Sequence, residues 1–378
     1  MTRRRICYVS GTRADFGLMA GTLRLLHGSP ALELGIAVTG MHLSPKYGAT
    51  VAEIEAQNLP ICARISTDVD ETSGAAMARS VAETILGLTK SFQSWRPDLV
   101  LLLGDRGEML AGAVTAIHLN IPIAHLHGGE RTGTVDELMR HAISKLSHYH
   151  LVATPGARER LIRMGEDPER VFLTGAPGLD GIEALATVSR DTLCAELALD
   201  SKRPVALVVF HPVVQEASEA GEQVQAVLDG TLATGAQVVA LAPNADAGGD
   251  LIRDRLARSM STQSVRVVNH MQRERFVSWM ACADAMVGNS SSGLIEAASL
   301  GLWVVNVGSR QRLRETSGNV LEVEPDAAQI THAVVTVLSR PRGHWPNVYG
   351  DGRAGERIAD LLERLPLGSP LLMKTNAY

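Results

Sequence analysis

Short apolar runs alternate with longer segments of helical periodicity along the first half of the chain. This alternation predicts a parallel sheet with helices on both faces, because strands buried on both sides read as nearly continuous Val, Ile and Leu. The predicted strands are 5–10, 34–39, 62–66, 99–103, 122–126, 150–153 and 171–174. The predicted helices are 17–28, 47–57, 74–94, 107–119, 135–147 and 156–164. We therefore expect one doubly wound domain here.

The pattern breaks at residues 174–181, a passage rich in glycine and proline, and then starts again. The later predicted strands are 205–210, 237–241, 265–268, 285–287 and 303–307. The later predicted helices are 216–233, 249–260, 273–282, 293–300 and 325–338. The sequence thus predicts two α/β, Rossmann-like domains, 1–180 and 181–378. The last predicted helix is an amphipathic one at 352–365, and the N-terminal domain is one candidate partner for it.

The length of 378 residues agrees with two domains, because single domains are commonly about 100–150 residues long. Hydrophobic residues make up 45% and charged residues 20%, which excludes wholesale disorder and a coiled coil. The formal charge of −5 argues against a broad basic surface for nucleic acid or anionic lipid. Only five of the 36 basic residues are lysines, so a phosphate site would use guanidinium groups and backbone amides.

The four cysteines lie far apart in the sequence, which supports neither a disulfide framework nor a zinc knuckle. The basic residues at 3–5 precede an apolar run that Arg13 and Asp15 cut short, so no export signal is predicted. No uncharged stretch is long enough to span a bilayer. We expect a cytoplasmic protein.

Polar and glycine-rich segments follow the predicted strands, where ligands of open parallel sheets bind. In the first half these segments are 11–17, 104–108 and 127–133, and in the second half they are 211–212, 243–246, 288–293 and 308–314. No Gly-x-Gly-x-x-Gly or Walker-type loop occurs, which argues against dehydrogenases and P-loop enzymes. Residues 15–17 spell a kinase tripeptide without the other kinase motifs, so we regard it as a coincidence.

The segment 288–293 runs from a strand into a helix. The hydroxyl groups of Ser290, Ser291 and Ser292 could hold a diphosphate there, or one serine could simply cap the helix. The nearby Arg310 and Arg314 favour phosphate. Glu296 could accept hydrogen bonds from ribose hydroxyls, or it could be an ordinary exposed glutamate.

Three carboxylates and two histidines occupy strand ends. Asp105, Glu130 and Asp136 could each cap a helix or face a ligand. Together with His127 and His211 they would form an acid–base site if the two domains face each other.

Eight segments together resemble the UDP-N-acetylglucosamine 2-epimerase family, specifically its hydrolysing branch. They are GTRADFG (11–17), GDR (104–106), HGGE (127–130), RHAISKLSH (140–148), FHP (210–212), PNAD (243–246), GNSSSG (288–293) and RQRLRET (310–316). The resemblance implies two Rossmann-like domains facing a central cleft, as in glycosyltransferases of the B type. The alanine and aspartate at 14–15 and the proline and valine at 212–213 look like the hydrolysing pattern.

The resemblance also implies roles for individual residues. Arg13, His211, Ser290, Ser291, Glu296 and Arg310 would hold UDP, with Asn244 and Asp246 nearby, and Arg106, His270 and Ser292 also belong to the expected substrate-binding set. Asp105, Glu130 and Asp136 would be the acid–base groups. Many family members have a catalytic carboxylate where this chain has His127, so Glu130 or His127 does that work, or the sugar differs.

The implied reaction eliminates UDP to give a 2-acetamidoglycal and rehydrates it, so that UDP-N-acetylglucosamine gives UDP and N-acetylmannosamine for sialic-acid-type sugars. The alternative substrate is a UDP-2,4-diacetamido-trideoxy sugar of a legionaminic-acid-type pathway. Neither metal nor cofactor is expected, and family analogy implies a homodimer or homotetramer. A B-type glycosyltransferase and a nucleotide-sugar-sensing protein without activity are the alternatives of other classes.

Overall fold

The computed structural model describes residues 3–260 and 262–378. Its first seven strands form one all-parallel sheet with the order β3-β2-β1-β4-β5-β6-β7. These strands are β1 (Arg4–Ser10), β2 (Leu32–Thr39), β3 (Ile61–Ile65), β4 (Leu99–Leu103), β5 (Ile123–Leu126), β6 (Tyr149–Val152) and β7 (Val171–Leu173). The helices between them are α1 (Arg13–Gly28), α2 (Val51–Ala56), α3 (Gly74–Trp95), α4 (Gly107–His118), α5 (Val135–Leu146) and α6 (Pro155–Arg163).

The following six strands form a second all-parallel sheet with the order β10-β9-β8-β11-β12-β13. They are β8 (Val205–Val209), β9 (Gln237–Leu241), β10 (Val265–Val268), β11 (Ala285–Gly288), β12 (Val304–Val307) and β13 (Val320–Val323). The helices are α7 (Ile182–Leu185), α8 (Arg190–Glu196), α9 (Ala220–Leu232), α10 (Gly249–Ser259), α11 (Arg273–Cys282), α12 (Ser291–Ile295), α13 (Ala327–Leu338) and α14 (Ala354–Arg364). The predicted fold class is confirmed. In the described part of the chain, no helix is both long and apolar enough to cross a membrane.

The strand order reverses at equivalent places in the two sheets. The reversal lies between β1 and β4 in the first sheet and between β8 and β11 in the second. In open α/β sheets this reversal opens a crevice beyond the carboxyl ends of the strands. The loops that follow these four strands are therefore the ones that the fold brings to a ligand.

Helix α1 begins four residues earlier than predicted, because a capping box stabilises its first turn. The Thr12 hydroxyl accepts a hydrogen bond from the Asp15 backbone amide (3.3 Å), and the Asp15 carboxylate accepts one from the Thr12 amide (3.0 Å). This box fixes the loop after β1 and places Arg13 at the start of the helix, beside the crevice.

Other predicted elements differ in length. Residues 45–47 form a 3₁₀ turn, so the helix predicted at 47–57 begins only at Val51. The helix predicted at 293–300 is the five-residue α12 followed by a 3₁₀ turn at 297–300. Strand β13 and the short helices α7 and α8 were not predicted. Strand β13 is an edge strand without a buried residue, so its sequence lacks the continuous apolar run of the central strands.

Helix α14 packs against the first sheet's layer rather than the second. Its Ile358 and Leu362 are buried in the same apolar cluster as Met19 and Leu23 of α1. The carboxylate of Asp180 accepts a hydrogen bond from the backbone amide of Ala354 at the start of the helix (2.9 Å). The chain thus crosses back over the first half before it ends, while the domain boundary at residue 180 stays a prediction.

Candidate active site

A cavity of about 320 Å³ lies between the two sheets, within the usual range for small-molecule sites. Residues of both halves line it. They include thirteen of the candidates proposed from the sequence: Asp105, His127, Asp136, His211, Arg13, Arg106, Asn244, Asp246, Ser290, Ser291, Ser292, Glu296 and Arg310. The fold therefore collects groups from strand ends more than 280 residues apart in the chain into one site.

Two candidates lie just outside the lining. Glu130 is only 3% exposed and lies behind His127. His270 lies beside Arg13, and its Nδ1 is 2.6 Å from a guanidinium nitrogen of Arg13. Glu130 and His270 therefore contact the lining residues His127 and Arg13 rather than the cavity itself.

His127 and Glu130 form a dyad in which the carboxylate orients the imidazole. The distance between His127 Nδ1 and Glu130 Oε1 is 2.6 Å, and Glu130 also pairs with Arg314 of the second half. Burial raises the pKa of Glu130, but the charges of Arg314 and His127 outweigh it and lower the pKa to about 2. An ionised carboxylate only accepts, so Nδ1 carries the donated proton and Nε2 is left for a ligand.

The backbone at His127 is unusual. Its φ of +59° lies in the left-handed region, which costs energy for a residue with a side chain. The loop also needs a glycine at 129, where a Cβ atom would lie 2.5 Å from the carbonyl oxygen of Ala157. The hydrogen bond to Glu130 helps to stabilise this strained loop and fixes the orientation of the imidazole.

Asp105 and Asp136 are two neighbouring carboxylates with opposite pKa shifts. Burial raises the pKa of Asp105, but the charges of Arg140 and Arg314 more than offset it, so the pKa is lowered. The pKa of Asp136 is raised, first by burial and then by the negative charge of Asp105. A pair of carboxylates held at different proton affinities is the arrangement that acid–base catalysis requires.

Arg140 sets this difference. Its side chain is fully buried, pairs with the Asp105 carboxylate and donates to the carbonyl oxygen of Glu130 (2.9 Å). Sequence reasoning did not select Arg140 as a site residue. A usable signal existed, because Arg140 shares the buried face of α5 with Ile143 and Ser144, and a charged residue on such a face needs a partner.

The cavity wall formed by the second half of the chain carries hydroxyl groups and a guanidinium group. Gly288 ends β11 with a φ of +137°, and a Cβ there would lie 2.1 Å from the carbonyl oxygen of Val209, so the serine loop requires this glycine. Ser290 Oγ lies 2.8 Å from Ser292 Oγ. Arg310 donates to the carbonyl oxygen of Asn289 (3.2 Å), which places its charge beside the serines. Since α12 has only five residues, it is the hydroxyl groups and Arg310, rather than a long helix dipole, that can attract an anion here.

His211 lies beneath these groups. Its backbone amide donates to Asn289 Oδ1 (2.7 Å), and its carbonyl oxygen accepts from Asn289 Nδ2 (2.8 Å). Burial and the charges of Arg310 and Arg106 hold the pKa of His211 well below its usual range. The imidazole is therefore neutral at physiological pH, so it offers hydrogen bonds rather than a positive charge.

Ionic and hydrogen-bonded contacts bridge the cleft between the two halves. Arg106 Nη1 lies 3.5 Å from Asp246 Oδ1, and Arg310 Nη2 lies 3.4 Å from Asp136 Oδ2. His270 bridges Arg13 and Glu53, with 2.6 Å between its Nε2 and Glu53 Oε1. The same arginines that face the cavity thus join the two domains.

Glu296 is neither exposed nor unpaired. It is 1% exposed and pairs with Arg273 at the start of α11, a residue that sequence reasoning missed. Arg273 also donates to the carbonyl oxygen of Gly178 (3.0 Å). The pair fixes the Glu296 carboxylate at the cavity wall. Among the described residues, no group of His, Cys, Asp and Glu is arranged to hold a metal ion.

Comparison with known proteins agrees with this geometry. Residues 24–363 match the family model described as UDP-N-acetylglucosamine 2-epimerase. The chain is 50% identical to a UDP-N,N'-diacetylbacillosamine 2-epimerase (hydrolyzing) of Legionella pneumophila, over 99% of this chain and all of that protein. It is 31% identical to a UDP-N-acetylglucosamine 2-epimerase of Neisseria meningitidis, over 95% of both chains.

The fold has solved counterparts as well. The structure of the UDP-GlcNAc 2-epimerase of Methanocaldococcus jannaschii in complex with UDP-GlcNAc and UDP superposes with a TM-score of 0.81, at 19% identity, over 95% of this chain and 99% of that one. The resemblance drawn from the eight sequence segments is confirmed. With its two facing Rossmann-like sheets and a family match across most of its length, this chain belongs to the UDP-N-acetylglucosamine 2-epimerase family.

Proposed function

We propose that this protein is a hydrolysing 2-epimerase that converts a UDP-linked 2,4-diacetamido-2,4,6-trideoxy hexose into UDP and the free sugar inverted at carbon 2. The observation that carries the choice of sugar is the 50% identity, over the full length, to the Legionella pneumophila enzyme named for UDP-N,N'-diacetylbacillosamine. The cavity supports the reaction type, because it combines acid–base carboxylates with an anion site.

The nucleotide occupies the second-domain wall in this proposal. Ser290, Ser292 and Arg310 meet the diphosphate, since hydroxyls and a guanidinium beside Asn289 are the strong donors there. The buried Glu296 accepts hydrogen bonds from the ribose hydroxyls. Neutral His211 donates or accepts a hydrogen bond without adding charge.

In the first step, Asp136 removes the proton from carbon 2 while the bond between carbon 1 and the diphosphate oxygen breaks. Its raised pKa makes it the stronger base of the two aspartates. Arg310 stabilises the negative charge that develops on the departing UDP. The products of this step are UDP and a glycal with a double bond between carbons 1 and 2. Asp105, kept ionised by Arg140, orients the reacting groups and stays unprotonated.

In the second step, water adds its hydroxyl to carbon 1 and a proton enters carbon 2 from the opposite face. His127 supplies that proton through Nε2, because Glu130 fixes its Nδ1. The proton that the adding water releases restores the one on Nε2. The proton taken by Asp136 returns to solvent. One UDP-sugar and one water molecule thus give UDP and the epimeric free sugar.

UDP-N-acetylglucosamine, the first choice at the sequence level, is the second candidate substrate. The 31% identity to the Neisseria meningitidis enzyme supports it. Its products would be UDP and N-acetylmannosamine. A domain boundary near residue 180, a cytoplasmic location and a homo-oligomeric state complete the proposal, and size-exclusion chromatography with light scattering tests the last of these.

Proton NMR in heavy water with each donor alone tests the function. We expect UDP release without any acceptor, a free sugar inverted at carbon 2, and one deuterium at that carbon, because the proton there exchanges with solvent. Release of UDP only after an acceptor is added would identify a glycosyltransferase instead. Binding of both donors without turnover would identify a sensing protein.

A further inference from the structure

Two methionines line the first-domain side of the cavity beside the proposed catalytic carboxylates. Met77 lies in the first turn of α3, and Met139 lies one turn after Asp136 on α5. Both are half-buried cavity residues. Neither has a role in the chemistry proposed above.

The start of α4 lies beside Met139 and beside the turn of α3 that follows Met77. At Gly107, two residues after Asp105, a Cβ atom would lie 2.7 Å from Val81 Cγ2 and 3.9 Å from Met139 Cε. Val81 is one helical turn after Met77 on α3. Gly107 therefore lets α3, α4 and α5 approach each other, and the end of the Met139 side chain reaches the start of α4.

Several groups that line the cavity already have roles in the proposed function. Serines and Arg310 take the nucleotide, and the carboxylates and His127 flank carbons 1 and 2 of the sugar. Because Met139 follows Asp136 on α5 and its side chain reaches Gly107, two residues after Asp105, we place the far edge of the sugar ring against Met139 and Met77. A thioether is at best a weak hydrogen-bond acceptor and donates nothing, so this surface suits an alkyl group and leaves a hydroxyl without a partner.

We propose that Met77 and Met139 form an apolar wall that receives the C6 methyl group of a 6-deoxy sugar and thereby determines which nucleotide sugar this site turns over. The inference rests on the proposed function and adds the residues that select the substrate. An apolar pocket rejects an analogue that adds a hydroxyl group by up to about 100-fold in kcat/KM. We expect selectivity in the lower part of that range, because the wall has two half-buried residues.

Three UDP donors separate the substituents of the sugar. The 2,4-diacetamido-2,4,6-trideoxyglucose donor has the C6 methyl group and a second acetamido group. The 2-acetamido-2,6-dideoxyglucose donor has the methyl group alone, and UDP-N-acetylglucosamine has neither. We expect kcat/KM of the second donor to exceed that of the third about 10-fold or more in the wild-type protein.

Substitution assigns this preference to the wall. Met77→Gln and Met139→Gln should each lower the ratio between the second and third donors at least 5-fold, whereas Met139→Leu keeps it because the surface stays apolar. Met271→Gln is the matched control, since Met271 lines the same cavity from the second domain and should affect both donors alike. Unchanged ratios in both glutamine variants, or a wild-type preference for UDP-N-acetylglucosamine, would overturn the proposal.

The same donors test the proposed function separately from the methionine wall. If the wild-type protein releases UDP from none of the three donors, the proposed function fails. The dissociation constants of the intact donors, measured by calorimetry, then show whether the methionine wall selects the C6 methyl group. A C6 preference in binding that disappears in Met139→Gln supports it, and equal affinities for the second and third donors refute it.

Discussion

The substitution Glu130→Gln removes the negative charge behind His127 and should both destabilise the protein and slow catalysis. Glu130 and Arg314 are 3% and 7% exposed in their side chains, so the variant leaves a buried guanidinium without its counter-charge. Breaking a buried ion pair in this way costs about 3–5 kcal/mol. The pKa shift of Glu130, from an ordinary value of 4.5 to about 2, corresponds independently to about 3 kcal/mol at neutral pH.

The pH dependence of this effect has a definite sign. A carboxylate whose pKa is lowered in the folded state stabilises the protein fully above its unfolded pKa of 4.5, and this contribution is lost as the pH falls towards 2. The difference in unfolding free energy between wild type and Glu130→Gln should therefore be largest at pH 7. It should narrow by about 1 kcal/mol at pH 4.

Urea unfolding followed by tryptophan fluorescence, at pH 7 and at pH 4, measures both quantities. Glu33→Gln is the matched control, because Glu33 pairs with Arg5 at 3.3 Å with both side chains at least 40% exposed, and its loss should cost less than about 1 kcal/mol. We also expect kcat to fall about 100-fold in Glu130→Gln, since His127 loses the carboxylate that orients its imidazole. A loss of stability at pH 7 no larger than that of Glu33→Gln, or a difference that is the same at both pH values, would refute this reasoning.

Three further predictions concern the other walls of the cleft. Asp105→Asn and Asp136→Asn should each lower kcat at least 100-fold. The dissociation constant of UDP, measured by calorimetry, should stay within about threefold of the wild-type value. A variant that releases UDP at nearly the wild-type rate would show that its aspartate has no part in the mechanism. Ser290→Ala should weaken UDP binding about fivefold and leave kcat nearly unchanged, because one hydrogen bond is worth about 1 kcal/mol; unchanged affinity would place the diphosphate elsewhere. Gly288→Ala should lower the thermal unfolding midpoint strongly, because its Cβ atom would lie too close to Val209. Gly308 also has a positive φ, +81°, but open space around it, so Gly308→Ala should lower the midpoint only by the cost of the left-handed backbone conformation. Equal effects of the two substitutions would contradict the steric explanation.

The architecture was readable from the sequence because it depends on local burial. Strand β4, Leu99–Leu103, is entirely apolar and entirely buried, and the polar segment that starts at Gly104 follows it directly. A chain in which such apolar strands alternate with helices can bury the strands only in a parallel sheet with helices on both faces. The ends of such strands point to one edge, and thirteen of the fifteen candidates selected at strand ends and through the family resemblance line the cavity.

Element boundaries depended on side-chain contacts that periodicity does not show. Helix α1 starts at Arg13 because Thr12 and Asp15 cap each other, and residues 45–47 form a 3₁₀ turn ahead of α2. The edge strand β13 has too few buried positions to give an apolar run. In each case one or two hydrogen bonds or a partly exposed environment decided the conformation.

What the sequence determined by itself was the family, the two parallel sheets and the set of groups at the cleft. Only the tertiary structure decided which of these groups meet the cavity and in which protonation state. The sequence left Glu130 and His127 as alternatives for the same catalytic role. The fold places Glu130 behind the imidazole and beside Arg314, which is 184 residues away in the chain. Asp105 and Asp136 are the same residue type, yet Arg140 and mutual repulsion move their pKa values in opposite directions. Proton affinity depends on burial and on charges within a few ångströms, and those neighbours are joined by folding rather than by sequence.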